Sequence, residues 1–257
     1  MEAHLEQLTR RAQELAARRE TPTHDARFAS ERVGTRLFVL ARHAESTANV
    51  NGVISADPTR PVALTERGRE QARELGVQLA GLDISLAVAT RFDRTHQTAQ
   101  LALEGRRVPI VTEPGLDDVQ AGDYDGAPVA SYWAWEEAHA PGERLPHGES
   151  ILDALQRCAG ALDRLLARSE PVTLVVLHEF ALRRIAQASA GRPAPPEGTF
   201  ANAVPYLFHE SAVARAVAGL QAMARSLGSQ LLSEVHGPHE GPALTPGASR
   251  ALAPFVR

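Results

Sequence analysis

Leu37-Phe38-Val39-Leu40-Ala41-Arg42-His43-Ala44-Glu45-Ser46-Thr47-Ala48-Asn49 is the stretch on which the rest of the chain turns. Its first four residues form an apolar run set between Arg36 and Arg42, and a continuous apolar run is the pattern of a strand covered on both faces. An arginine, a histidine, a glutamate and a serine follow where that strand should end. Ligands of open α/β sheets bind outside the carboxyl ends of the strands, so Arg42 and His43 stand where chemistry is expected. Ser46 and its successors open a helix, whose free N–H groups would suit an anion.

Working outward, a second apolar run from Pro171 to Leu177 also ends on a histidine, His178. Further strands are predicted over Ile84–Thr90, Val108–Val111 and Phe200–Phe208. Between them, Thr65 caps a helix whose Ala72, Leu75, Gly76 and Leu79 share a face, and helices are predicted over Arg91–Leu103, from Ser150 to about Arg168, and from Ser211 to Leu232. Glu113–Gly126 is expected to be a loop and residues 127–147 irregular. Strands alternating with helices give an α/β fold, a three-layer α/β/α sandwich with a mostly parallel central sheet. Residues 1–34 are an extension, with an amphipathic helix over 2–19 that packs on the domain or on a second subunit, as in a homodimer, and a polar connector to Gly34. Residues 35–235 form the domain, and 236–257 are a Gly/Pro-rich tail.

Composition narrows the partners. At 257 residues and 44% hydrophobic the chain can bury a full core. A net charge of -4 argues against a nucleic acid or an anionic membrane as the main partner. The charged N-terminus and the lack of a long apolar run point to a cytoplasmic protein. All 27 Lys+Arg residues are arginine. Without lysine there is no P-loop lysine and no Schiff base, so an anion must be held by arginine forks, histidine or backbone N–H. The single cysteine, Cys158, excludes intrachain disulfides and cysteine-rich zinc sites.

Several motifs carry a resemblance. Arg42-His43-Ala44-Glu45-Ser46 with Asn49 resembles the R-H-G-E-S-x-x-N signature of the histidine phosphatase superfamily, which includes cofactor-dependent phosphoglycerate mutases and many phosphomonoesterases. LTERGREQARELGVQLA, starting at Leu64, is similar to the family's L-T-x-x-G-x-x-Q-A-x-x-L-G, and Thr90–Ala99 to its S-P-L-x-R-A-x-Q-T-A without the serine-proline pair. Leu116-Asp117-Asp118 with Gly122, Tyr124, Asp125 and Gly126 resembles L-x-E-x-x-x-G-x-W-E-G, and Pro146-His147-Gly148-Glu149-Ser150 resembles P-G-G-E-S. The strand ending at His178 is similar to the one that ends V-S-H-G. These lie in the family's order between about residues 35 and 210.

The resemblance implies hydrolysis of small-molecule phosphomonoesters without metal or cofactor. His43 would be the nucleophile, forming a phosphohistidine. Arg42, Arg94 and His178 would hold the equatorial phosphoryl oxygens, with Ser46 and Asn49 adding neutral hydrogen bonds. Asp118 would protonate the leaving oxygen. Three departures stand out: Ala44 replaces glycine, Asp118 is one methylene shorter than glutamate, and Glu179 follows His178 as an acidic residue does in the acid-phosphatase branch. Glu179 is therefore the alternative proton donor, or a substrate-binding group. A phosphoglycerate-type mutase and an inactive binding module of the same fold are the competing functions. Mutases of the family hold a second phosphate with several basic residues, whereas here Glu136, Glu137 and Glu143 face a single Arg144 in the corresponding segment, together with Tyr132, Trp133 and Trp135.

Two further features are set aside. Cys158-x5-Arg164 matches the cysteine-phosphatase pattern, but Leu155, Cys158, Leu162 and Leu165 share a helix face, which makes Cys158 a core residue. His236 and His239 lack acidic partners at a set spacing and are read as solvated.

Overall fold

A computed structural model of the chain describes residues 36–192 and 200–235, the side chains of 229–235 excepted. The expected helix over 2–19, the connector, and the tail with His236 and His239 lie outside the described residues. Within them a five-stranded sheet runs in the order β3-β2-β4-β1-β5, with β1 Leu37–Arg42, β2 Leu86–Ala89, β3 Ile110–Thr112, β4 Val172–Leu177 and β5 Pro205–His209. All neighbouring pairs are parallel except β1 with β5. Seven helices accompany it: α1 Thr47–Asn51, α2 Glu66–Gln78, α3 Asp93–Ala102, α4 Val129–Ala138, α5 Ile151–Leu166, α6 Glu179–Ala190 and α7 Glu210–Val235.

The pleat sorts the core into two layers. Phe38 and Leu40 of β1, Leu86 and Val88 of β2, and Val175 and Leu177 of β4 face α5, α6 and α7. Val39, Ala41, Ala87, Leu174 and Val176 face α2 and α3. Successive strand residues point to opposite faces, so both halves of each apolar run are buried and the three-layer sandwich follows from the sequence pattern. Leu155, Cys158 and Leu162 of α5 fill the first layer, and truncating a side chain such as Leu155 to alanine should cost about 2–5 kcal/mol.

The elements next to the cavity differ from expectation in two places. Val129–Ala138 is helical rather than irregular. VASYWAWEEA has apolar residues on every side, so no 3.6-residue period marks it, although Pro128 before it fixes a helix-compatible entry. The last strand starts at Pro205, not Phe200: Ala203 has φ 54°, which breaks the extended chain, and Phe200 instead packs its ring 4.9 Å from Tyr206. The loop over 113–126 contains two 3-10 turns, Pro114–Leu116 and Gly122–Tyr124.

Two glycines set close approaches. A Cβ on Gly68 would lie 2.0 Å from the Glu45 carbonyl oxygen, so only glycine lets α2 rest on the loop after β1. Gly122 has φ 55° and would place a Cβ 2.0 Å from the Pro146 oxygen, which locks the 118–126 loop to the segment before α5.

Candidate active site

β1 and β4 are adjacent and parallel, so their carboxyl ends deliver His43 and His178 side by side, ring centroids 5.3 Å apart. His43 N donates to Leu177 O at 2.9 Å, and Asn202 Nδ2 donates to His43 O at 2.7 Å, which fixes the backbone from both sides. The ring is held as firmly. Nδ1 lies 2.8 Å from the Ala44 carbonyl, which can only accept, so Nδ1 carries the proton. Nε2 then has its lone pair, and Arg94 Nε donates to it at 3.1 Å. Burial, reinforced by Arg94 and Arg42, drives the His43 pKa well below 6.5 against the opposing pull of the Ala44 carbonyl.

Arg94 sits in the first turn of α3 and is almost wholly buried, stacked 4.3 Å over the Phe92 ring. Its other nitrogens donate to Ser55 Oγ and Ser55 O, both at 3.0 Å, and to His178 Nδ1 at 3.1 Å. Burial lowers its pKa to about 10, which still leaves a cation at neutral pH. His178 caps α6, is fully buried, and holds Thr90 Oγ1 at 2.9 Å through Nε2. Since Nδ1 accepts from Arg94, Nε2 donates to the threonine, and the ring is neutral; burial and then Arg94 push its pKa well below 6.5.

Arg42 Nη1 donates to Phe200 O at 3.1 Å and pairs with Glu179 Oε2 at 2.7 Å. Its Nε is buried with no hydrogen-bond partner among the described residues. Asp118 Oδ2 lies 3.7 Å from Arg94 Nη2 and 3.6 Å from His178 Nδ1. Its side chain is 31% exposed. Removal from water raises its pKa, opposed by Arg94, by the Val119 N–H and by Arg42.

His43, Arg42, Arg94, Asp118 and Glu179 therefore converge on one cavity of 180 Å³. Ser46 and Asn49 also line it, with their side-chain oxygens bonded within the pair: Ser46 N and Oγ both donate to Asn49 Oδ1 at 3.0 Å, and Asn49 N donates to Ser46 Oγ at 3.4 Å. That capping box takes up the start of α1 which the sequence offered to an anion. His178 is not on the cavity wall; Arg94 lies between. Ala44 is absent from the positive-φ residues, so alanine fits where the signature has glycine, and its N–H donates to Thr98 Oγ1 at 2.9 Å.

Residues 38–202 match the sequence profile of the Histidine phosphatase superfamily (branch 1). The chain belongs to that superfamily. It is 31% identical over 166 residues to "Probable phosphoglycerate mutase GpmB" of Erwinia tasmaniensis, covering 62% of this chain and 76% of that protein. It is 30% identical over 175 residues to the adenosylcobalamin/alpha-ribazole phosphatase of Escherichia coli K12, covering 62% and 81%. Among solved structures it resembles the alpha-ribazole phosphatase of Shigella flexneri at a TM-score of 0.55 and 28% identity, covering 61% of this chain and 81% of that one.

As a member of that superfamily, the chain also has residues at the site that motif reading passed over. Thr90 stands where the motif has serine, and its hydroxyl supports His178, so only the proline of the missing pair is truly lost. Ser55 and Asn202, which fix Arg94 and the His43 carbonyl, come from loop and turn segments with no periodic signal. Among the described residues no group of three or more His, Cys, Asp or Glu could hold a metal ion, and no helix is long and apolar enough to cross a membrane.

Proposed function

We propose that the protein hydrolyses small-molecule phosphomonoesters through a phosphohistidine on His43. The observation that carries this is the His43 ring, buried and neutral, with Nδ1–H tied to Ala44 O and its Nε2 lone pair turned to Arg94 in a cavity that Arg42 and Asp118 also line. As the substrate enters, Arg94 Nε–H turns from Nε2 to a phosphoryl oxygen; Nε2 then attacks phosphorus, the ester P–O bond breaks, and the leaving oxygen takes the bond pair and a proton from Asp118. The Asp118 carboxylate next takes a proton from water, whose oxygen attacks phosphorus; the N–P bond breaks and returns its pair to Nε2. Arg42 and Arg94 neutralise the phosphoryl oxygens throughout. His178, behind Arg94, accepts from its Nη2 and so steadies the guanidinium that meets the phosphoryl group.

The outer wall favours a phosphatase over a mutase. Beyond Arg42 and Arg94 the lining includes Val53, Ile54, Val129, Tyr132, Trp133 and Glu136, with Arg183 as the one further arginine. Aromatic and aliphatic surface, with a carboxylate set against that single arginine, suits an organic leaving group better than a second phosphate. Purified protein in excess chelator should release inorganic phosphate from a panel of phosphomonoesters, and acid-quenched enzyme should carry phosphate on His43. Interconversion of 2- and 3-phosphoglycerate, faster than phosphate release from any panel member, would overturn the reading in favour of the mutase. No turnover and no phosphoenzyme would leave the binding module.

A further inference from the structure

Asp118 stands on a stretch of chain that belongs to no strand or helix, between the two 3-10 turns. Such a segment has no backbone ladder of its own to hold a side chain in place. Its carbonyls are instead gathered by one side chain from outside, Arg157 of α5. Arg157 Nη1 donates to Gly115 O at 3.1 Å and to Asp117 O at 3.0 Å, and Nη2 donates to Asp118 O at 3.2 Å. The guanidinium is aimed by Glu149: Nη2 donates to Oε1 at 2.5 Å and Nε to Oε2 at 3.2 Å, a two-point contact that sets its plane. Glu149 continues the grip beyond Asp118, accepting from Gln120 N at 2.9 Å while its own N–H donates to Gln120 O at 2.9 Å. On the other side the Asp117 carboxylate is fixed by Arg91 N at 2.9 Å and Arg91 Nε at 2.6 Å.

The peptide groups from 115 to 120 are thus pinned on both sides of one residue, and that residue carries the carboxyl that faces Arg94 and His178. Glu149 precedes the N-cap of α5 and Arg157 lies inside that helix, eight positions on, and neither lines the cavity. We propose that Arg157, aimed by Glu149, is a positioning residue for the proton-transfer step, holding the Asp118 segment so that its carboxyl meets the leaving oxygen. The proposal rests on the reading of Asp118 as the proton donor. A lysine at 157 keeps the charge but lacks the planar fork that spans three carbonyls and a carboxylate.

The test compares two substrates, an alkyl phosphate and p-nitrophenyl phosphate, whose leaving group departs without a proton. With Arg157→Lys, kcat on the alkyl phosphate should fall about 10–100-fold, as for a small misplacement of a reacting group, while kcat on p-nitrophenyl phosphate stays within about threefold and KM moves little on either. In the Asp118→Asn background the same change should cost less than about twofold, because the residue it positions is already silent. Equal losses on both substrates, or losses that multiply in the double variant, would overturn the proposal and reduce Arg157 to a strut. If Arg157→Lys does not fold by circular dichroism, Glu149→Gln supplies the same comparison, since it loosens the aim and leaves Arg157 in place. Asp118→Asn alone separates the two levels: no leaving-group dependence there removes the proton-donor reading and this proposal with it, whereas dependence there without dependence at 157 and 149 removes only the positioning role.

Discussion

Arg94 Nε lies 3.1 Å from His43 Nε2, so one guanidinium both holds the imidazole lone pair in place and discourages its protonation. The first prediction separates those effects. His43→Ala should lose at least about 10³-fold in kcat with the fold retained, because positioning alone cannot replace a nucleophile. Arg94→Lys should lose about 10²–10³-fold, since the fork that reaches Ser55 and both histidines is gone. In Arg94→Gln the positive charge that lowers the His43 pKa is removed, so the acidic limb of kcat/KM should move to higher pH. A limb that stays put would mean that the histidine titration is not what the profile reports.

A second prediction concerns the stability stored against Asp118. Its pKa is raised above the usual carboxylate value by burial, so the folded state holds its proton more tightly than the unfolded chain does. The charged form therefore destabilises the fold at pH values above the unfolded pKa, and the penalty vanishes below it. Asp118→Asn should raise Tm at pH 7 and lose that advantage near pH 3, measured by thermal melts across pH. Glu179→Gln should not: its carboxylate is paired with Arg42 at 2.7 Å, and the loss of that partner leaves a cation exposed to its own desolvation.

The paired buried histidines give a third expectation. His43 and His178 both have folded pKa values well below 6.5, so the unfolded chain binds more protons than the folded one as pH falls from about 6.5 toward those lowered values. Their contribution to stability is complete above pH 6.5 and is lost progressively below it. Denaturant melts should therefore show stability dropping between pH 6.5 and 5, and His178→Asn should flatten that slope. Added inorganic phosphate should flatten it too, because a bound anion favours the charged imidazole.

How much of this was legible in the sequence depends on where each residue's signal lies. The strands β1 and β4 are buried on both faces, so their apolar runs and the histidines that end them stand out in one dimension. The motif arginines and Asp118, named from the resemblance, line one cavity with His43. What stayed hidden is tertiary. The oxygens of Ser46 and Asn49 are joined in a local capping box, a pairing that their place beside the motif histidine did not announce. The helix α4 has no polar face to give it a period, so its helical form stayed hidden even though its aromatic and acidic residues stood out in the sequence. Arg157 is one arginine among many until its fork is seen to collect three carbonyls.

Cys158 supplies the fourth prediction, because the pattern it completes with Arg164 is chemically tempting. The thiol is buried in the α5 layer, burial lifts its pKa to about 12, and Arg164 pairs with Glu113 at 2.7 Å instead of facing it. A thiol that keeps its proton is no nucleophile. Cys158→Ser should leave kcat within about twofold and lower stability by about 1–3 kcal/mol, the cost of placing a hydroxyl in an apolar layer. Inactivation by a thiol reagent without unfolding would contradict this.

The last prediction asks what the outer wall selects. Trp133 is 44% exposed although it lines the cavity, and it stands one turn from Glu136 on the same helix. A large ring left half in water at the mouth of an anion site gains area when a planar group stacks on it, and such contacts are worth about 0.5–1.5 kcal/mol beyond burial. That free energy is available in the ground state as well as in the transition state, so it should act on KM more than on kcat. Trp133→Ala should raise KM for an aryl phosphate about 3–30-fold with kcat nearly unchanged, and should leave glycerol phosphate, which has no ring to stack, almost unaffected. Glu136 makes the complementary case, since a carboxylate on the wall repels a leaving group that carries its own negative charge. Glu136→Gln should improve kcat/KM for 3-phosphoglycerate by several-fold relative to glycerol phosphate, the excess disappearing at high salt. If Trp133→Ala weakens the aryl phosphate and glycerol phosphate equally, the ring packs α4 against the domain instead of meeting the substrate, and selectivity must come from elsewhere on the wall.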